Sequence, residues 1–447
     1  MRKDGAGGTP DLIGGVAAAS LLVVAMTFGG GPRGTGDAVV HLLAVPALWL
    51  GVTRWRHHHA SALQRAVLYL LLGAIALSAL QLVPLPATWF SVLPQRGDVI
   101  SDLIATGSAP AWLPMTLDRW GTVRSLAALA TFGASWLLAS SLSVDTRERL
   151  LQVALVGAAA MALLGFAQAA AGSHSPLRFY DYHHPMGAIG TFANRNHFGD
   201  LLAMLLPFSI AFGVMAQRQR VQALVFLWYG LTVVLFLAAA LSYSRTGFAL
   251  ACVAVVASVL VLRPVGRPAA RTSVKHAAPL LAGLAGVLAV GYYAWDGIVR
   301  RLEQDPLEDL RWQYVQHGLT MARAYLPWGS GLGSFRDAYA PFEPVDAMGS
   351  THALHAHNDL LQIGAEAGVP GLLLVLGFVG LLLVAAWISL RRNREQEDPV
   401  LGAAAIAVFV PLAHSLVDYP LRTLAIAVVF GLVLAVLTVG SRQQGSV

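Results

Sequence analysis

About twelve times along this chain an apolar run of roughly twenty residues recurs, long enough as a helix to cross a hydrocarbon core of about 30 Å. The runs lie near 11–30, 37–53, 66–83, 122–140, 150–171, 198–215, 221–241, 246–262, 277–295, 369–389, 400–417 and 421–440. Lipid offers no partner to a bare backbone N–H or C=O, so each run must close its hydrogen bonds internally, as a helix. With 56% hydrophobic and 12% charged residues among 447, the chain reads as an all-α polytopic membrane protein. The first run is long and lacks a small-residue cleavage site, so it is expected to be a span and not a removable signal. The only cysteine, Cys252, falls inside a span. That excludes a disulfide framework and a Cys-based metal site.

Basic residues set the expected orientation. With the N-terminus inside, the inner segments carry Arg2 and Lys3, then Arg54, Arg56 and Arg65, then Arg147 and Arg149. Arg218 and Arg220, the group Arg263 to Lys275, and Arg391, Arg392, Arg394 and Arg442 follow. The net charge of +6 is thus a topology signal and gives no reason to expect nucleic acid as a partner. His57, His58 and His59, beside Trp55, read as a polar part of an inner loop.

Three organisational blocks result: residues 1–295 with nine spans, a large outer loop at 296–368, and three final spans in 369–447. Smaller outer loops fall near 84–120 and 172–197. The former holds Pro84, Pro86, Pro94 and Pro114, which forbid a long helix, with Trp89, Trp112 and Trp120 suited to the membrane–water boundary. Within 296–368, residues 307–325 read as an amphipathic helix with Leu310, Tyr314 and Leu319 on one face. The Gly-rich stretch from Pro327 to Phe335 lacks the lysine and strand–helix context of a phosphate-binding loop, and is read as a turn.

Polar residues gather where these loops return to the membrane. Asn194, Arg195, Asn196, His197 and Asp200 open the sixth span, with Asn196, His197 and Asp200 spaced for one helical face. An Asn helix cap explains one of these residues but not the set. Ser244 and Arg245 sit in a short turn before the eighth span, where burying an Arg in lipid costs roughly 2.5–3.5 kcal/mol. His352, His355, His357, Asn358 and Asp359 precede the tenth span, with Pro370 opening it. A wet capping loop is the competing explanation. The last outer turn carries Asp418 and Arg422, read as a local ion pair, with His414 one turn earlier.

At this point the motifs resemble those of the O-antigen ligase and O-antigen polymerase superfamily. The carriers are His357-Asn358 followed after nine residues by Gly368 and Gly371, the block Gly190 to Asn196, and Ser244-Arg245. Pro84 and Pro86, Leu117-Asp118 and the Pro327–Phe335 turn also match, in order along most of the chain. The resemblance implies an all-helical bundle of about twelve spans, related to the integral-membrane glycosyltransferases (a GT-C-like bundle), with a large periplasmic loop over the site. It implies transfer of a glycan from undecaprenyl diphosphate to an acceptor hydroxyl in the bacterial inner membrane, with no cofactor and no required metal. The resemblance implies as acceptor another lipid-linked glycan or a lipid A core, or, as in some relatives, a protein. The slight lean is to a surface-polysaccharide polymerase. His357 then matches the essential histidine and Arg245 the arginine beside the eighth span; Arg195 is the choice for the second arginine, with Arg178 its alternate. Asn194, Asn196, His197, Arg311, His355, Asn358 and Asp359 are expected to bind substrate, Asn358 orienting His357 or a sugar and Asp359 fixing the imidazole tautomer.

Two readings from other classes compete. A metal enzyme would use His352, His355, His357 and Asp359. A lipid-glycan transporter would place its charges near mid-membrane, whereas here they gather at one face.

Overall fold

The computed structural model describes residues 9–31, 34–57, 59–173, 175–180, 186–262, 306–345 and 353–439. Among the described residues, the helices before the large loop are α1 (Thr9–Phe28), α2 (Gly34–Trp55), α3 (Ala62–Gln81), the short α4 (Ala87–Phe90) and α5 (Arg96–Ala105), α6 (Arg119–Ser140), α7 (Val144–Ala171), α8 (Arg195–Arg218), α9 (Gln222–Leu241) and α10 (Arg245–Val261). Then come α11 (Pro306–Tyr325), α12 (Phe335–Tyr339), α13 (Asp359–Gln396), α14 (Pro399–Ala407), α15 (Phe409–His414) and α16 (Leu424–Val439). Among the described residues, eight helices are long and apolar enough to cross a membrane, and Arg245–Val261, Pro399–His414 and Leu424–Val439 are shorter apolar ones. The protein is an all-α polytopic membrane protein. Each expected span outside 263–305 falls on helix, the one at 400–417 on the two short helices α14 and α15; the one at 277–295 lies outside the described residues.

Polar stitches at the helix ends sort the two faces of the bundle. At one end Arg54 donates to Asp11 (3.2 Å), Ser143 Oγ donates to Asp11 (2.7 Å), Arg218 pairs with Glu397 (3.6 Å), and Ser61 Oγ donates to the Thr438 carbonyl (3.2 Å). Asn393 donates there to the Val261 carbonyl (3.1 Å). This is the basic end. At the other, Ala425 N donates to Gly29 O (3.1 Å), Ala193 N to Gly30 O (3.1 Å), Ala188 N to Leu241 O (2.8 Å) and Asp359 N to Ser415 O (2.8 Å). α10 therefore finishes at the basic end, while α11 packs on α13 at the opposite one.

α8 is the axis of the bundle. Beyond its polar first turns it is apolar on all sides from Leu201 to Phe208, as a buried helix is, and Leu201 through Leu206 are each 0% exposed. α9, α10 and α14 pack against it, so whatever its first turn carries is held at the centre of the site end.

The loop near 84–120 contains more order than its prolines suggested. Pro84–Pro86 and Trp112–Pro114 pair as a short antiparallel ribbon, with Leu85 opposite Leu113, and α4 and α5 lie between them. Trp89, Trp112 and Trp120 are all exposed. The amphipathic helix forms as α11, but its packed face is Tyr314, Met321 and Tyr325. Leu319, expected on that face, is 43% exposed.

The long α13 is two helices joined at Gly368, whose φ of 60° and ψ of −152° break the helical path. The Gly-rich turn docks on this break. Val369 N donates to Pro327 O (2.9 Å), Ser330 N to Ala365 O (2.8 Å) and Gly331 N to Glu366 O (2.8 Å). Carbonyls and amides freed by the kink are thus satisfied by another segment, as buried backbone requires. Gln81 reinforces the clasp by donating to Glu366 O (3.0 Å) and accepting from Leu332 N (2.8 Å), and Arg96 donates to Gly329 O (2.7 Å). A Cβ at Gly368 would collide with the Pro327 carbonyl, so glycine is required there for space as well as for φ.

Candidate active site

Three capped helix starts meet at the site end. Asn194 caps α8 by accepting from Asn196 N (2.8 Å), Ser244 caps α10 by accepting from Gly247 N (3.1 Å), and Asn358 caps α13 by accepting from Leu361 N (2.9 Å). The first turns of α8 and α10 touch: a Cβ on Gly199 would sit 3.3 Å from Ser242 Oγ and 3.4 Å from Gly247 Cα. Arg195, buried, and Arg245, half-buried, are the first residues of these two helices. The positive ends of two helix dipoles thus meet where each helix begins with an arginine, a setting suited to anionic oxygens.

The turn between α15 and α16 supplies the carboxylate at the centre. Asp418, 0% exposed, accepts from Asn196 Nδ2 (2.7 Å) and from Tyr419 N (3.0 Å). Its Oδ1 lies 3.3 Å from His357 Nδ1 and 3.8 Å from His197 Nε2. The His357 contact is close without being aligned as a full hydrogen bond. Burial alone would raise the Asp418 pKa, but the close imidazoles of His197 and His357 hold it well below the usual carboxylate range. Three imidazoles surround the Tyr419 ring, with centroids at 4.0 Å for His355, 5.0 Å for His197 and 5.1 Å for His357. Tyr314 of α11 stacks on His357 at 6.2 Å.

A second network locks the start of α13. Arg422 donates from Nε to Asp359 (2.8 Å) and from Nη1 to Glu366 (3.3 Å), and Ser415 Oγ donates to Asp359 (2.8 Å). Burial would lower the Arg422 pKa, but the charges of Glu366 and Asp359 outweigh it and raise it. Gln362 Nε2 donates to Glu366 (2.9 Å) and lies 3.1 Å from His355 Nδ1, while its oxygen accepts from Ala356 N (3.1 Å). Burial, helped by Arg422, His357 and His197, pushes the His355 pKa down to about 3.

Several expectations are corrected by this geometry. Asp359, expected to fix the His357 tautomer, is taken by Arg422; Asp418 faces His357 instead. Arg422, expected to pair with Asp418 inside its own turn, reaches Asp359 and Glu366. Asn358, expected to orient His357 or a sugar, has its oxygen in the α13 cap and its Nδ2 on Leu416 O (3.0 Å). Arg178, the alternate second arginine, donates to the carbonyls of Gly187 (2.9 Å) and Gly172 (3.2 Å), and so ties its own loop together. The face of α8 divides its polar residues: Asn196 and His197 turn to Asp418, while Asp200 holds His414 (2.9 Å). Arg311 lies in α11, but its side chain, like His352, is outside the described residues. Of the alternative metal set, His355 lies on Gln362, His357 on Asp418 and Asp359 on Arg422. Sequence reading missed Asp418, Gln362 and Glu366 as site-forming residues. Their one signal was a polar side chain placed beside an apolar run.

No curated protein matches the chain. Residues 230–376 match the family model described as O-antigen ligase, a span that includes Arg245 and His357 but neither Arg195 nor Asp418. The match supports a place for the chain in the O-antigen ligase and polymerase superfamily.

Proposed function

We propose that this protein moves a glycan from an undecaprenyl-diphosphate-linked donor to an acceptor hydroxyl on the periplasmic face of the bacterial inner membrane, in surface-polysaccharide assembly. One observation carries the reading: His357 turns Nδ1 toward buried Asp418, 3.3 Å away, beside the helix starts that hold Arg195 and Arg245. A carboxylate on Nδ1 keeps the proton there and leaves the Nε2 lone pair for substrate. In the reaction, the acceptor oxygen attacks the anomeric carbon and its proton passes to His357 Nε2. The bond from that carbon to the phosphate oxygen breaks, and its electron pair stays on the diphosphate. Arg245 and Arg195 meet the charge that develops on the phosphate oxygens. Asp418 stabilises the imidazolium formed.

Polymerase activity is the favoured outcome over ligation to a lipid A core, the lean coming from the His-Ala-His-Asn and Asn-Arg-Asn-His blocks. The test is reconstitution in nanodiscs with a lipid-diphosphate-linked repeat as donor, and either a second repeat or a lipid A core as acceptor. Elongated lipid-linked glycan is expected. Product only on the lipid A core would make it a ligase, and movement of intact donor across the bilayer without transfer would make it a transporter. Activity abolished by a chelator and restored by zinc would replace the arginine scheme with a metal one.

A further inference from the structure

His355 and His357 are two residues apart, flank the same Tyr419 ring, and have opposite neighbours at Nδ1. His357 Nδ1 faces a carboxylate, Asp418. His355 Nδ1 faces an amide nitrogen, Gln362 Nε2, at 3.1 Å. The orientation of that amide is fixed from both sides, because its oxygen must accept from Ala356 N (3.1 Å) and its nitrogen must donate to the Glu366 carboxylate (2.9 Å). Gln362 is 1% exposed, so water does not relieve a mismatch. The second amide hydrogen therefore points to His355 Nδ1, which must accept it. A proton on that nitrogen would set two donors against each other.

We infer that His355 is a substrate-contacting residue held as the neutral Nε2–H tautomer by Gln362, and that it donates a hydrogen bond to a neutral sugar oxygen beside the reacting hydroxyl of the acceptor. The inference rests on the proposed glycan transfer. His357 presents a bare Nε2 and His355 a protonated one, so together they form an acceptor–donor pair at one ring. Among the described residues His355 Nε2 has no partner, and the side chain is part exposed. A neutral N–H suits a sugar oxygen, while the anionic diphosphate is matched by the arginines. The groups facing His355 reinforce its neutrality: the positive charge of Arg422 and the imidazoles of His357 and His197 oppose a further proton, and Glu366 acts on it only through the Gln362 amide. The donor is thus expected to stay constant across the pH range in which ordinary histidines titrate.

Two measurements test this. In the first, protein labelled with 15N-histidine is studied by solid-state NMR, and the His355 signals are identified by their loss in His355→Gln. A bare Nδ1 and protonated Nε2, unchanged from pH 5 to 8, are expected; a protonated Nδ1, or titration in that range, overturns the inference. In the second, kcat/KM for the acceptor is compared with donor affinity. His355→Leu should lower the former roughly ten-fold, the effect of one lost neutral hydrogen bond, and leave the latter near wild type. His355→Gln, which places an N–H near the Nε2 position, should recover most of the loss without shifting the pH–rate profile. A loss that falls on donor affinity overturns the assignment to the acceptor, and a Leu variant equal to wild type overturns substrate contact. The NMR result needs no turnover, so failure of the tautomer and failure of the proposed reaction are told apart.

Discussion

Replacing Asp418 by Asn keeps the size of a fully buried side chain and removes its charge. In the wild type, Oδ2 accepts from Asn196 Nδ2 at 2.7 Å, and Oδ1 accepts from Tyr419 N at 3.0 Å with His357 Nδ1 at 3.3 Å. An Asn can keep its oxygen toward Tyr419 and His357, but its NH2 then meets the Asn196 amide, which must turn over to accept. The fold survives that rearrangement at a cost of about 1–2 kcal/mol. The larger effect is on chemistry. The imidazolium formed at His357 loses an anionic neighbour, and a hydrogen bond to a charged group contributes about 1.5–3 kcal/mol. Converted at 1.36 kcal/mol per decade, this predicts a roughly 10- to 150-fold slower transfer step. Single-turnover transfer in nanodiscs, with donor binding measured in parallel, is the assay. Binding should be near wild type and transfer slow. Wild-type single-turnover rates in a folded Asp418→Asn protein would refute the orienting role of this carboxylate. The pH dependence has a definite sign: with its pKa held low in the fold, Asp418 contributes stability fully above the ordinary carboxylate range, near pH 4, and loses it only below.

Arg245→Lys keeps the charge but loses the planar fork, and should cost about 2–4 kcal/mol in the transition state, or roughly 30- to 1,000-fold in rate, by single-turnover transfer. His357→Ala should slow transfer while sparing donor binding; if it abolishes binding while Arg245→Ala leaves binding and transfer near normal, the base and clamp assignments are wrong. Gly368→Ala combines left-handed strain with collision on the Pro327 carbonyl and should destabilise the protein by about 1–3 kcal/mol, read as a lower thermal midpoint in detergent. A topology reporter fused after Gly349 should be periplasmic and one after Arg267 cytoplasmic; the reverse would place the site among nucleotide sugars.

The spans were legible because lipid leaves one solution for an apolar run, and Arg54, Arg147 and Arg218 mark one end of them in the sequence itself. The Asn cap at the start of α8 was legible for the same local reason, whereas the caps Ser244 and Asn358 emerged only with the fold. What sequence could not supply was pairing. Asp359 and Asp418 are both acids beside helix starts, and local reasoning gave each its nearest basic or imidazole neighbour. The fold exchanges them, since the α15–α16 turn lays Asp418 under His357 and sends Arg422 across to Asp359 and Glu366. Leu319 failed similarly: an apolar residue on the expected face of α11 was left outside because Tyr314, Met321 and Tyr325 define the side that packs.

The break at Gly368 has a mechanical consequence. A spanning helix tilts to suit the thickness of the bilayer around it, and a rigid rod of 38 residues would carry that tilt to its far tip. Here Asp359–Ala367 is bolted to Arg422, Gln81 and the Pro327–Gly331 segment, none of which belongs to the spanning part Val369–Gln396. The clasp reaches into the span only at Val369 N, so the head is held by its own neighbours, much as a bracket fixes a fitting at the top of a post. Lipid composition then bears on the post, and His357 stays in register with Asp418.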